Sequence, residues 1–242
     1  LMAGVNLKID GVEIEAPGGE NLMQAAVRAG VRVPGLCQLD GLSVVGACRL
    51  CMVEIAGTPR PRPACATPVG ESMDVHTDTP RLREHRRVLL EMLFAEGQHI
   101  CAACVASGAC ELQNLAAELG VDHVNFTPPP TRLQMDLSHP RFGYDPSRCV
   151  LCTRCVRACA EVEGAFTWGV AGRGRETHLV ADLGVPWGEA ASCTSCGKCV
   201  SACPVGALFE KGTSVGERRV PRTLVSTLTA RRERESHREV LK

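Results

Sequence analysis

Residues 149–159 read CVLCTRCVRAC and residues 193–203 read CTSCGKCVSAC. Each run has the spacing C-x2-C-x2-C-x3-C, at Cys149, Cys152, Cys155 and Cys159 and again at Cys193, Cys196, Cys199 and Cys203. The 33 residues between the runs interrupt an internal repeat, and a repeat of this kind implies two sites related by pseudo-twofold symmetry. Fifteen cysteines lie in the 242-residue chain, an odd number. Disulfide frameworks have no reason to group cysteines at two-residue gaps, so bound metal is the better reading. Soft thiolate ligands suit zinc or iron–sulfur centres.

The doubled run resembles the bacterial two-cluster ferredoxin pattern. That resemblance implies that the fourth cysteine of each run ligates the other cluster. One [4Fe–4S] cubane would then have Cys149, Cys152, Cys155 and Cys203, and the other Cys159, Cys193, Cys196 and Cys199. The second run ends in Cys203-Pro204, as the pattern asks, whereas Cys159 is followed by Ala160.

Two further groups lie upstream. Cys37, Cys48, Cys51 and Cys65 are spaced C-x10-C-x2-C-x13-C in a loop with Gly35, Gly41 and Gly46. Four thiolates complete a [2Fe–2S] site, and glycines let the backbone approach the cluster and donate N–H bonds to sulfur. The competing reading is a zinc site, whose usual signature is two tight cysteine pairs; only one pair here is tight. Cys101, Cys104 and Cys110 leave a third cubane one ligand short, and His99 is placed to supply it through neutral imidazole. Water, a partner residue or a three-iron cluster are the alternatives. With His99, fifteen cysteines make sixteen ligands, four for each of four clusters. His76, His85, His123, His139, His178 and His237 have no such neighbours and read as ordinary residues.

Patterning around these groups separates modules. In residues 1–79, Val5, Leu7 and Ile9 alternate, Asp10-Gly11 offers a hairpin turn, and Val12 and Ile14 resume the alternation. A helix from about Glu20 to Ala29 is closed by Gly30. Strands follow at Met52, Val53 and Ile55 and at Met73, Val75 and Thr77. This is the order of a β-grasp ferredoxin. Residues 80–127 read as helical: Thr79 caps a helix with Pro80 at its first position. Leu82, Leu89, Leu90, Met92 and Leu93 form its apolar side and Gly97 ends it. A second helix runs from Glu111 to Leu119, with Leu112, Leu115, Ala116 and Leu119 on one face and Gly120 beyond. Pro128-Pro129-Pro130 reads as a stiff connector. Residues 140–210 hold the doubled run, in which Gly172–Gly174 reads as a turn. The tail 211–242 reads as a solvated helix or frayed end, with docking on a partner as the alternative. The fold class is α+β in three cluster-bearing modules.

Composition narrows the function. Basic and acidic residues balance at 27 each, which disfavours a general nucleic-acid binder. No apolar run approaches the ~20 residues of a membrane span. The N-terminus LMAGVNLKIDG has no apolar core of a secretory signal, so a reducing, cytoplasmic location is expected. Aromatics are only 3%, which leaves bound clusters to help hold the small modules. There is no nucleotide-binding glycine motif, P-loop or serine-hydrolase elbow, so no catalytic residue is expected.

The stretches HICAACVASGACELQ, CVLCTRCVRACAEVEGAFTWGVAGRGR and SCTSCGKCVSACPVGALFEKG closely resemble the small diaphorase subunit of soluble NAD-reducing [NiFe] hydrogenase. The order of sites also resembles the N-terminal part of the large iron–sulfur subunit of NADH dehydrogenase, of [FeFe] hydrogenases and of NAD-dependent formate dehydrogenases. Those chains continue into larger catalytic domains, and an end at Lys242 favours the hydrogenase subunit. In the respiratory pattern the histidine stands four residues before the first cysteine; His99 stands two before Cys101, and position 97 is glycine. The resemblance implies one [2Fe–2S] and three [4Fe–4S] clusters in a hetero-oligomer. The partners would be an FMN-containing, NAD(H)-binding diaphorase subunit and the large and small [NiFe] subunits. The histidine-ligated cubane and the [2Fe–2S] site would lie towards the flavin, with the latter as a side branch, and the two-cluster module towards the hydrogenase. The same relay in a formate dehydrogenase or NADH dehydrogenase complex is the alternative.

Overall fold

The computed structural model describes residues 4–127, 134–219 and 223–240. The Pro128–Pro130 connector lies outside them.

The N-terminal module is a five-stranded sheet with one helix across it. Strands β1 (Gly4–Ile9) and β2 (Val12–Pro17) pair antiparallel, with Ile9 opposite Val12. Asp10 and Gly11 both take positive φ, as a two-residue hairpin turn requires. Helix α1 (Leu22–Arg28) starts slightly later than the apolar pattern suggests, because Asn21 and Gln24 form a reciprocal capping box there. Strands β3 (Met52–Ile55), β4 (Arg62–Pro63) and β5 (Asp74–His76) complete the order β2-β1-β5-β3-β4, with β1 and β5 parallel. Leu7, Ile9, Leu22, Ala25, Val53 and Val75 fill the space between sheet and helix.

Helix α2 (Pro80–Glu96) begins where the sequence predicts, with the Thr79 side chain accepting from Leu82 N–H. Its packed face differs from the expected one. Met92 is exposed, whereas Arg86 and Glu91 are buried beside Leu82 and Leu90. Each buried charge has polar partners. Arg86 donates to the carbonyls of Leu50, Met52 and Thr77, and Glu91 accepts from Asn125. Helix α3 (Glu111–Glu118) packs on α2 through Leu112, Leu115 and Ala116, and Gly120 takes the left-handed conformation past its end.

The C-terminal module is built on the repeat. Strand β6 (Phe142–Tyr144) pairs with a later strand, and helix α4 (Arg154–Arg157) opens immediately after a cysteine loop. Strands β7 (Trp168–Ala171) and β8 (His178–Ala181) form a hairpin inside the insertion, and the Gly172–Gly174 segment turns between them. Helix α5 (Lys198–Ala202) follows the second loop, and β9 (Leu208–Glu210) closes on β6. The two loops share a backbone trace. Left-handed residues fall at Leu151 and Thr153 in the first and at Ser195 and Gly197 in the second, the same two positions. The runs then diverge. Pro204 follows the end of α5, whereas α4 continues through Cys159 as a π-helical turn, Ala158–Glu163.

One apolar core joins the modules. Leu36 and Leu50 from the first, Leu90, Leu112 and Leu115 from the second, and Phe142, Tyr144, Trp168 and Trp187 from the third belong to one cluster. The scarce aromatics are concentrated there. Trp187 stacks near Phe142 at 5.6 Å and meets Trp168 edge-on at 4.9 Å. Helix α6 (Leu224–Val240) carries the tail. Its first turns are packed rather than solvated: Val225 is buried with Leu42, Ala158 and Val162, and Thr229 Oγ1 donates to Gly41 O at 3.0 Å.

Candidate iron–sulfur sites

All fifteen thiols are free, and the structure gathers them into four groups. Cys37, Cys48, Cys51 and Cys65 meet where the loop after α1 reaches β3 and the segment after β4. Cys51 Sγ and Cys65 Sγ are 3.4 Å apart, and Leu36 N–H points at Cys48 Sγ at 3.4 Å. Hydrogen bonds from Cys48 and Cys65 hold the Cys37 thiol far below the ordinary range and push the two donors above it. These contacts join the four thiols into one group, Cys37 to Cys48 and Cys65, and Cys65 to Cys51. Gly41 and Gly46, both at positive φ, shape the loop.

The middle group closes a cavity. His99, Cys101, Cys104 and Cys110 line it together with Phe94, Leu112, Arg148 and Gly206. A side chain at position 206 would collide with Cys104 Sγ. His99 reaches inward because its Nε2 bonds Leu93 O at 3.1 Å. A carbonyl only accepts, so Nε2 carries the proton and Nδ1 keeps its lone pair. Burial lowers the pKa of the ring, the bond to Leu93 O partly opposes it, and the Arg148 charge adds to the lowering. Gly97 explains the displaced histidine: any side chain there would run into Ser147 O and the His99 ring.

In the C-terminal module the two runs exchange their fourth cysteines. Cys159, from the first run, lines a cavity with Cys193, Cys196 and Cys199 of the second, between Thr167, Trp168 and Trp187. Cys203, from the second run, stands with Cys149, Cys152 and Cys155. Burial pushes Cys149 and Cys152 up to about 12, and the charge of Cys203 adds to both. Cys155 moves the same way, from burial and then from Cys152, Cys149, Cys203 and Cys199. Burial and the neighbouring cysteines together favour the protonated thiols, and a cationic centre would favour the thiolates.

The sequence reading missed the donors around these sulfurs. Trp187 Nε1–H points at Cys193 Sγ at 3.3 Å, and Thr167 N–H at Cys159 Sγ at 3.3 Å. The signal was that both tryptophans of the chain fall in the insertion between the runs. His139 is buried but not a donor to any site. Its Nδ1 accepts from Arg141 and Phe142 N–H, and its Nε2 meets Ser195 Oγ at 3.0 Å. Among the described residues no three His, Cys, Asp or Glu side chains converge tightly enough for a single ion. Two of the four groups, those of Cys101 and of Cys159, line cavities.

Three family models match the chain in succession. Residues 3–80 match a 2Fe-2S iron-sulfur cluster binding domain, residues 86–125 the NADH-ubiquinone oxidoreductase-G iron-sulfur binding region, and residues 140–209 the ferredoxin-like domain of NADH-quinone oxidoreductase subunit 3. A chain in the crystal structure of an H2-reduced NAD+-reducing [NiFe]-hydrogenase superposes with a TM-score of 0.82 at 35% identity, covering 94% of this chain and 99% of that one. An NADH-quinone oxidoreductase subunit of Rhizobium meliloti is 37% identical over 85% of this chain. The NADPH-Fe(3+) oxidoreductase alpha subunit of Geobacter sulfurreducens is 36% identical over 86%. The chain spans 24% of the length of each of these two relatives. No helix among the described residues is long and apolar enough to cross a membrane.

Proposed function

Because the chain belongs to the family of iron–sulfur electron-transfer subunits that spans NAD-reducing [NiFe] hydrogenase and the NADH-quinone oxidoreductases, we propose that it is the electron relay of an NAD-reducing hydrogenase. The single observation that carries this reading is the match to nearly the whole length of a hydrogenase chain. In this reading the chain works in the cytoplasm as part of a hetero-oligomer. It accepts electrons from a [NiFe] large and small subunit pair and passes them to an FMN-containing, NAD(H)-binding subunit.

The ligand sets follow the four groups. Cys37, Cys48, Cys51 and Cys65 hold a [2Fe–2S] cluster, and His99, Cys101, Cys104 and Cys110 hold a [4Fe–4S] cluster. Cys149, Cys152, Cys155 and Cys203 hold a second cubane, and Cys159, Cys193, Cys196 and Cys199 a third. Clusters, when bound, store and release single electrons, which links two-electron chemistry at hydrogen to two-electron chemistry at a flavin. The protein supplies position, burial and N–H donors. The Trp187, Thr167 and Leu36 N–H groups lower the charge density on the sulfurs they face and so favour the reduced state. The exposed Cys196 puts its site nearest to solvent in that module.

A second reading, the same relay in a formate dehydrogenase or NADH dehydrogenase complex, draws on the likeness to the NADH-quinone oxidoreductase chain of Rhizobium meliloti. Metal analysis of the purified native complex separates the readings. We expect about 14 iron atoms per copy of this chain, beyond those of its partners, with nickel co-purifying. Molybdenum or tungsten in place of nickel selects formate dehydrogenase, and zinc without iron defeats both readings.

A further inference from the structure

Among the described residues four arginines are buried, Arg86, Arg154, Arg157 and Arg218. Each donates to backbone carbonyls in or beside a cysteine loop. Arg86 reaches Leu50 O, Arg154 reaches Gln38 O, and Arg218 reaches Cys203 O at 2.8 Å. Arg157 connects two loops. Its Nη2 donates to Cys37 O at 2.6 Å and to Cys152 O at 3.2 Å, and its Nη1 donates to Ser43 O.

The charges are compensated differently. Arg154 is held by Glu111 at 2.8 Å, and Arg86 has Asp78 at 3.9 Å. Arg157 and Arg218 form no ion pair among the described residues, and the Nε of each is buried without a hydrogen-bond partner; of the two, Arg157 is the one that grips two cysteine loops. Glu161, one helical turn on, gives its carboxylate to Ser43 N–H at 2.8 Å and to the Ser43 hydroxyl. Carbonyl dipoles satisfy the guanidinium's hydrogens but not its charge, and a buried cation without an anion is costly. The two chain segments it grips carry Cys37 and Cys152, which belong to two different cluster sites in the proposed function.

We propose that Arg157 is a positioning residue that sets the reduction potentials of two sites together, the [2Fe–2S] site and the cubane site of Cys149, Cys152, Cys155 and Cys203. The inference rests on the cluster reading. Thiolate-bound clusters are anionic, and reduction adds one electron to each without making or breaking a bond. A fixed cation in a low-dielectric interior stabilises the more negative, reduced form and raises the potential. The clusters in turn supply the countercharge that the folded chain otherwise lacks. The guanidinium is planar, so one group serves both loops.

The test is a dithionite redox titration of the cluster-loaded full chain, followed by electron paramagnetic resonance with iron analysis alongside. Arg157→Gln and Arg157→Lys are compared with wild type and with Arg175→Gln, whose side chain is two-thirds exposed on the β7–β8 turn. In the Gln variant we expect the reduced-to-oxidised ratio at a given potential to fall about tenfold for the [2Fe–2S] signal and one cubane signal. That corresponds to about 59 mV per one-electron centre. The other two signals stay in place, as do all four in Arg175→Gln. Lysine keeps the charge and holds both midpoints near wild type. Unchanged midpoints in an iron-replete Gln variant, or a fall with lysine equal to that with glutamine, overturn the proposal. If the Gln variant loses iron, the Lys variant decides: wild-type midpoints support the proposal and lowered ones reject it. Iron and four signals in the wild-type chain establish the cluster reading separately, so a failure of either idea is visible by itself.

Discussion

His99 is the residue on which the middle site turns. It lies in the same cavity wall as Cys101, Cys104 and Cys110, with its protonated nitrogen committed to Leu93 O. Replacing it with alanine should alter the spin signal of one cubane and leave the other three clusters intact. Electron paramagnetic resonance of the reduced chain checks this, and an unaltered spectrum removes His99 from the ligand set. The grouping of the cysteines, and the place of His99 beside three of them, were legible from spacing. The buried arginines were not. A charged residue within a helical pattern reads as solvent-facing, and the carbonyls of distant loops that receive Arg86 and Arg157 are brought to them only by the fold. Trp187 was hidden for a related reason: its indole meets Cys193 through packing with Phe142 and Trp168, not through sequence spacing.

At the scale of elements, Ala160 separates the two halves of the repeat. Pro204 follows the end of α5, so the second run turns away after Cys203. With alanine at the matching position, the first run continues as a π-helical turn that buries Val162 and carries Glu161 to Ser43. Ala160→Pro, which would perfect the ferredoxin pattern, should therefore destabilise this chain by about 3 kcal/mol, the usual cost of proline inside a helix. Thermal unfolding of the loaded protein measures it, and an unchanged transition would mean the turn carries no stability. Elements with local signals were readable: the Asp10-Gly11 hairpin, the Thr79 cap and Gly120 beyond α3. Strand β4 is two residues long and has no alternation to reveal it. Met92 was misplaced because apolarity marked the face of α2, whereas the real face includes Arg86 and Glu91. The tail's charge suggested solvent, yet Val225 and Thr229 dock α6 on the loop at Gly41.

At the scale of the molecule, the continuous core holds thiols that burial drives towards the protonated form. Cys149, Cys152 and Cys199 are pushed up to about 12 and Cys110 to about 11, from an ordinary 9.0. A folded-state value above the unfolded one contributes stability that is present below about pH 9 and is lost as the pH rises towards 12. The iron-free chain, already weakened by the missing ligand bonds, should lose further stability across that window. The loaded chain should not, because its thiols have already released their protons to bind iron. Denaturant titrations at pH 8, 10 and 11.5, followed by the fluorescence of the buried Trp168 and Trp187, check the difference. Parallel curves for the two forms would show that burial of the thiols does not matter.

The sequence by itself determined the number of thiols, their grouping and the doubled run. These are properties of spacing along the chain, and short loops preserve spacing. The tertiary structure decided how the groups are completed and joined. Cys159 and Cys203 change places between runs because α4 and α5 pack against each other. His99 enters the middle cavity because Gly97 leaves its ring room beside Ser147. Arg157 reaches two loops more than a hundred residues apart because its helix is buried between them. Such contacts depend on which surfaces meet in space, and local periodicity carries no record of that.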